Sequence, residues 1–409
     1  MENECANKTL MILGSLEDAR NIVIYEEAKK LGVICLVCSD ATDQKTKTLS
    51  DIFYEVDYKD IDKLEEIALK HNVNGVIGAF DNVVLCCARL CERLDLPCNS
   101  SDSVMKLLKK SDFRQLQYDN FLFAPKSIEV DNLQKAFDAV GELKLPVIIK
   151  PQQASASKGH TVVRNFDKKI IEDAFNICQY YSRDNKVNVE EYIEPSSLAV
   201  VECDPFLYDN QFIWDGIRLC YRNEDAPLLP AYDIYPADIT DDQINIVKDT
   251  LKTAIIASGA KMGHFNAEGF FTQDGDFFIV EINPRQSGVY NPIDLFTYSG
   301  INYTRLLVET SLGIDTYFKE VKFMKRNYKT LLSYVVSSKK DGKLVDIHID
   351  KSLMPNLKMK RFMLEPGSKV RKIENAFDCI ATTTFEFKNI EQIYKIIPNM
   401  DKLVYPIVE

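Results

Sequence analysis

Residues Glu268 to Arg285 read Glu-Gly-Phe-Phe-Thr-Gln-Asp-Gly-Asp-Phe-Phe-Ile-Val-Glu-Ile-Asn-Pro-Arg, and no other stretch restricts the fold as much. Asp274-Gly275 is the dipeptide of a tight two-residue turn, and aromatic and β-branched residues flank it, which is the pattern of a β-hairpin. Pairing Gln273 with Asp276 sets Thr272 opposite Phe277, Phe270 opposite Ile279 and Glu268 opposite Glu281. Asn283, two residues on, shares the face of Glu281. Phe270, Phe277 and Ile279 on the same face argue for burial. Opposed carboxylates, with Cβ atoms about 4.5 to 5.5 Å apart, repel unless a cation stands between them, and buried acids need partners. Glu268, Glu281 and Asn283 are therefore candidate ligands for magnesium, which takes hard oxygen donors and completes its shell with phosphate oxygens and water. A solvated hairpin with two surface acids is the competing reading, and a three-residue loop would break the register on which the pairing rests.

The chain has 409 residues, beyond the roughly 250 to 300 at which one core stops growing, so two or three domains are expected. Hydrophobic residues make up 46% and charged residues 27%, the balance of a chain that is folded throughout. No apolar run approaches the length of a membrane helix, and the N-terminus lacks the basic and apolar regions of a signal peptide. A cytoplasmic protein with no membrane partner is the expectation. The net charge of −11, with no basic cluster, argues against nucleic acid as a partner. The eleven cysteines are scattered through apolar runs, Cys35 and Cys38 among them, and read as reduced core thiols.

Thr9 to Leu13, a helical pattern to Leu31 and the run Val33 to Cys38 open the chain as a β-α-β unit. Residues 1–100 read as a parallel, Rossmann-like α/β domain. Gly-x-Gly-x-x-Gly is missing after the first strand, which speaks against a bound dinucleotide. Ser15, Asp40 and Asp81 stand at strand ends where a small substrate could sit, although surface loops account for them equally well. Residues 101–313 form a second unit. Within it, 125–194 read as a compact lid: helix 131–141, strand 146–150, loop 151–159, strand 160–164, helix 167–182 and strand 187–193. Residues 314–409 are α+β, with strands near 331–337, 344–349 and 380–387. The whole is a mixed chain, α/β first and α+β after.

The phosphate-loop pattern Gly-x-x-x-x-Gly-Lys-Ser/Thr is absent. Instead Val147-Ile-Ile-Lys150-Pro151 ends an apolar strand with a cation, and a loop of small residues follows, with Ser155, Ser157, Lys158 and Gly159. Backbone N–H groups and hydroxyls in such a loop can cradle phosphates while Lys150 supplies charge. The strand Val187-Asn-Val-Glu190-Glu191-Tyr192-Ile193-Glu194 runs into Pro195, and a strand ending beside a cleft can pair its backbone with an adenine edge. Arg285 can hold a carboxylate or an oxyanion through paired hydrogen bonds.

These pieces, in this order and over nearly the whole chain, resemble the ATP-grasp superfamily, and in particular its carboxylate–amine ligases, the L-amino-acid ligase group among them. Glu281-Ile-Asn283-Pro-Arg285 is the signature. The resemblance implies an ATP-grasp fold with an N-terminal pre-ATP-grasp α/β domain, a mobile lid and a C-terminal α+β region. It implies ATP and one or two Mg2+ ions, with Mn2+ as a substitute, held by Glu268, Glu281 and Asn283. Lys110 and Lys150 would contact phosphates, with Arg114 as the alternative to Lys110. Ser155, Ser157, Lys158 and Gly159 would close over the triphosphate, Glu190, Glu191, Tyr192 and Ile193 would meet the adenine through backbone groups, and Glu194 would meet the ribose. Arg285 and Lys150 would be the catalytic cations.

The expected reaction joins a small carboxylate, an amino acid by family analogy, to an amine through an acyl phosphate, releasing ADP and phosphate. The rivals are a biotin-dependent-carboxylase-like enzyme acting on bicarbonate and a non-catalytic nucleotide-binding regulator. Glu202, Trp214, Arg218, His264 and Tyr290 could face the substrates or serve the structure. A homodimer through the N-terminal domain is compatible with the resemblance.

Overall fold

The computed structural model describes residues 4–409 apart from 42, 153–158, 183, 198, 224–228, 289 and 375–377. The first hundred residues form a four-stranded parallel sheet, in the order Ile52–Glu55, Ile34–Ser39, Thr9–Leu13, Gly75–Ile77. Thr9–Leu13, one of its two interior strands, is buried along its whole length because helices cover both faces, as parallel sheets require. Leu10 and Ile12 pack toward the helix Ala19–Lys30, and Met11 and Leu13 toward the helices Ile61–Lys70 and Asp81–Leu94. That alternation is the two-residue period of a strand.

The middle of the chain builds two antiparallel sheets. The smaller runs Ser127–Val130, Val187–Glu191, Val147–Pro151, Thr161–Val163. Helices Leu133–Glu142 and Lys168–Tyr181 cover one of its faces: Val147, Ile149, Val187 and Val189 point into that core. The intervening residues Lys150, Asn188 and Glu190 must then point the other way. The larger sheet has eight strands, in the order Phe277–Asn283, Asn266–Phe271, Ala199–Cys203, Ile217–Arg222, Pro230–Tyr235, Thr330–Ser337, Cys379–Phe387, Leu357–Phe362. Strands from beyond residue 313 thus continue the same sheet that carries the hairpin. Among the described residues no helix is long and apolar enough to cross a membrane.

The hairpin departs from the expected register in an instructive way. Thr272 N–H donates to Asp276 O and Phe271 pairs with Phe277, so three residues, Gln273 to Gly275, make the loop instead of two. Gly275 takes φ +89°, the left-handed conformation that a three-residue hairpin loop needs. The register is displaced by one residue: Phe270 faces Phe278 and Gly269 faces Ile279. A β-bulge at Val280 then absorbs the offset, and Glu268 still pairs with Glu281, Ala267 with Ile282, and Asn266 with Asn283. The bulge also changes which way the strand faces. Phe277 and Ile279 enter the core beneath the sheet together with Ile282, whereas regular alternation from Ile279 would have turned Glu281 into that core. Phe277 and Ile279 therefore lie on the face opposite the acids, a correction to the single-face reading, and the extra residue is what brings Glu281 round beside Glu268.

Candidate active site

Lys150 is buried at the end of its strand, with Nζ 2.5 Å from Glu190 Oε2. Glu190 Oε1 accepts from Asn188 Nδ2 at 2.6 Å and from Arg114 Nε at 3.2 Å. Burial pulls the Lys150 ammonium down to about 8 against the attraction of Glu190, and the nearby charges of Arg114 and Lys110 push the same way. Burial disfavours the Glu190 carboxylate, but Arg114 and Lys150 outweigh it and hold the group down to about 2. His160 joins this group: burial, then Lys150 and Lys110, bring its imidazole down to about 3, so it is neutral. Lys110 begins the helix Lys110–Asp119. The next residue, Ser111, donates its backbone N–H to Gln152 Oε1 at 3.2 Å, which ties that helix start to the beginning of the small-residue loop.

Two of the backbone N–H groups in the segment expected at the adenine are already engaged. Glu191 N–H donates to Lys126 O and Tyr192 N–H to Pro146 O, at 2.9 and 2.8 Å, so both are committed to the residues that lead into the neighbouring strands. Ile193 is the first residue of the segment whose N–H has no partner among the described residues. Glu190 turns its side chain inward, while the Glu191 carboxylate accepts from Lys144 N–H at 3.2 Å. Glu194 pairs with Arg164 at 3.0 Å on the surface. Ser155, Ser157 and Lys158 lie outside the described residues. Gly159 adopts φ +77° and its carbonyl accepts from Cys178 Sγ at 2.8 Å.

The acids form a row across the larger sheet. Glu281 stands opposite Glu268, Glu268 opposite Glu202, and Glu202 opposite Arg218, each on the next strand. Asn283 Nδ2 donates to Glu281 Oε1 at 2.8 Å, and Arg222 Nη2 to Glu268 Oε2 at 2.9 Å. Burial pushes the Glu268 carboxyl up to about 7, Arg222 opposes the shift, and Glu202 and Glu281 add to it. Carboxylate and amide oxygens gathered on one face are the donor chemistry that magnesium prefers, so Glu268, Glu281 and Asn283 fit that ion, with Arg222 paired to Glu268 at its edge. Glu202, Cys220 and Asp233 are also close enough to share an ion. There, however, Arg218 already lies among the acids, bonded to Glu202 and Asp204 and 3.3 Å from Asp233.

Arg285 Nε lies 2.5 Å from Asp81 Oδ1, and Nη1 donates to Asn266 Oδ1 at 3.0 Å. Asp81 opens the helix that follows the last strand of the parallel sheet, so the first hundred residues border the site at Arg285. Of the other two residues at strand ends, Ser15 donates to Asp43 at 2.7 Å and Asp40 is exposed. Among the substrate-facing candidates, Trp214 stacks on Phe212 at 4.9 Å, His264 bonds Asp204 at 3.1 Å, and Tyr290 donates to Phe362 O at 3.3 Å. Each has a structural partner. Asn266 went unnoticed in the sequence although it lies two residues before Glu268 on the same face. Arg222 and His160 carried no sequence signal.

Residues 107–309 match the family described as D-ala D-ala ligase C-terminus, a span that contains every candidate site residue from Lys110 to Arg285. The formate-dependent phosphoribosylglycinamide formyltransferase of Methanocaldococcus jannaschii is 27% identical over 187 residues, 45% of this chain and 47% of that protein. The chain spans about half the length, or less, of the curated relatives it matches first. An L-amino acid ligase from Bacillus licheniformis superposes with a TM-score of 0.82 at 17% identity, covering 99% of both chains. A phosphoribosylglycinamide synthetase from Anaerococcus prevotii superposes with a TM-score of 0.76 at 20% identity, covering 98% of this chain and 100% of that one. At such identities the likeness is one of fold, and it runs from end to end.

Proposed function

Residues 107–309 form an ATP-grasp domain of the family described as D-ala D-ala ligase C-terminus, and from that premise we propose that the chain is an ATP-dependent ligase joining a small carboxylate, an amino acid by preference, to an amine. The observation that carries the proposal is the shared face of Glu268, Glu281 and Asn283, with Arg285 beyond them at the mouth of the parallel sheet.

In this reading the substrate carboxylate attacks the γ-phosphate of ATP to give an acyl phosphate and ADP, and the amine then displaces phosphate to leave an amide. Glu268, Glu281 and Asn283 would hold magnesium, which offsets charge on the phosphates when bound. Lys150 and Lys110 hold the phosphate oxygens, and the buried Lys150 does so with little water to screen it. Ile193 offers its N–H to the adenine edge, and Glu194 meets the ribose after parting from Arg164. Ser155, Ser157, Lys158 and Gly159 close the loop over the phosphates. Arg285, oriented by Asp81 and Asn266, steadies the oxyanion of the second step. No side-chain nucleophile takes part, because positioning and charge neutralisation suffice for phosphoryl transfer.

The units we assign are 1–100 for the substrate side, 101–313 for nucleotide binding with 125–194 as its lid, and 314–409 as the C-terminal region. Eleven free cysteines, ten of them buried, support a reducing, cytoplasmic setting. The test is phosphate release from Mg-ATP over a panel of amino acids, singly and in pairs, with Glu281→Gln as control. Release that requires a particular pair and disappears in the variant supports the ligase; ATP binding with silence for every pair counts against it.

A further inference from the structure

Arg114 belongs to the helix Lys110–Asp119, yet its buried guanidinium reaches two other elements. Nε donates to Glu190 Oε1 at 3.2 Å, Nη1 to Gln117 Oε1 at 2.6 Å and Ile279 O at 3.2 Å, and Nη2 to Val280 O at 3.1 Å. The guanidinium also lies over the Phe278 ring, 4.9 Å from its centroid. Phe277–Asn283 is the edge strand of its sheet. In a regular edge strand successive carbonyls alternate between the neighbour and the outside. Two consecutive carbonyls, those of Ile279 and Val280, can meet one guanidinium only because the bulge turns both the same way. A planar fork of donors fits such a pair, whereas a lysine ammonium offers one centre.

We infer that Arg114 is a positioning residue for the metal-binding acids. It pins the bulge at Val280 that brings Glu281 onto the face of Glu268. Four of its five N–H groups go to Glu190, Gln117 and the two carbonyls, which favours Lys110 for the phosphate role. The inference rests on the ligase reading for the identity of the metal-binding face, but its geometry involves only residues of the chain.

The test measures two affinities on the full chain: ADP in EDTA by calorimetry, and Mn2+ added to the ADP complex by electron paramagnetic resonance. Arg114→Met and Arg114→Lys are compared with the wild type after thermal unfolding has shown which variants are folded. Arg114→Lys keeps a charge for Glu190 and is the safer folder. The expected result is a loss of Mn2+ affinity of about tenfold or more in the folded variants, the range for residues that orient metal ligands, with ADP affinity in EDTA unchanged. The loss should be larger in Met than in Lys. Unchanged Mn2+ affinity in either folded variant overturns the inference, as does a parallel loss of both affinities, which would make Arg114 a nucleotide contact or a general structural support. A wild type that binds neither ADP nor Mn2+ overturns the ligase reading itself, an outcome visible before any variant is made.

Discussion

Lys150 Nζ lies 2.5 Å from Glu190 Oε2, and both side chains are almost wholly buried. The two residues sit on adjacent antiparallel strands, Lys150 opposite Asn188 and Glu190 opposite Ile148, on the face turned away from the lid helices. Each charge is tolerated in the interior because of the other, since an unpaired ion there would be costly.

Glu190→Gln should therefore cost more than an ordinary substitution. It leaves Lys150 and Arg114 without their shared counter-charge, and removing one member of a buried pair typically costs about 3 to 5 kcal/mol. Urea unfolding of the ligand-free protein measures it. A loss below about 1 kcal/mol, the value of a surface pair, would mean that water reaches this site.

The Lys150 ammonium also predicts a pH dependence. Its folded value of about 8 lies below the ordinary 10.5, so the unfolded chain keeps this proton to higher pH, and the group's contribution to stability improves as pH rises from 8 toward 10.5. Nucleotide binding has the opposite sign, because a phosphate contact needs the charged form. ADP affinity should be flat below about pH 8 and weaken above it, by up to about tenfold per unit. Calorimetric titrations across this range check the slope, and Lys150→Arg, which stays charged, should abolish it.

Gly269 lies beside the bulge, paired with Ile279. A Cβ there would stand 2.7 Å from the backbone oxygen of Phe278, which cannot move without shifting the strand. Gly269→Ala should destabilise the chain by about 1 to 3 kcal/mol, the range for overpacking. It should also weaken Mn2+ binding in whatever fraction stays folded. Denaturant midpoints together with metal titration test both effects, and a neutral alanine would show that the hairpin is loosely held.

Arg285→Lys keeps the charge but cannot hold Asp81 and Asn266 together through a planar fork. Turnover should fall by about 100-fold to 1,000-fold, as when a preorganised donor to an oxyanion is lost, while ADP affinity is retained. Steady-state rates alongside ADP titration separate the two, and a matching loss of nucleotide affinity would place Arg285 on the nucleotide instead of the intermediate.

Much of the site was legible from order and spacing. Glu268, Glu281 and Asn283 are separated by a turn and lie on one face, a matter of local geometry, and an apolar strand ending in Lys150 announces a buried cation. The pairing of Glu268 with Glu281 was read correctly through two compensating departures, a three-residue loop and a one-residue bulge. The bulge itself was not legible, because nothing in Ile279-Val280-Glu281 distinguishes a bulged strand from a regular one.

The sequence by itself nominated candidates for phosphate and metal binding, from residue type, from local periodicity and, for Lys110, from the family resemblance. Only the tertiary structure decided how they are held: Arg285 meets Asp81 across 204 positions, and Arg114 meets Val280 across 166. It also turned the Glu190 side chain inward and set Glu202 and Arg222 beside Glu268. Such contacts depend on how sheets and helices pack, and the cost of burying a charge selects the packing in which each one finds its partner.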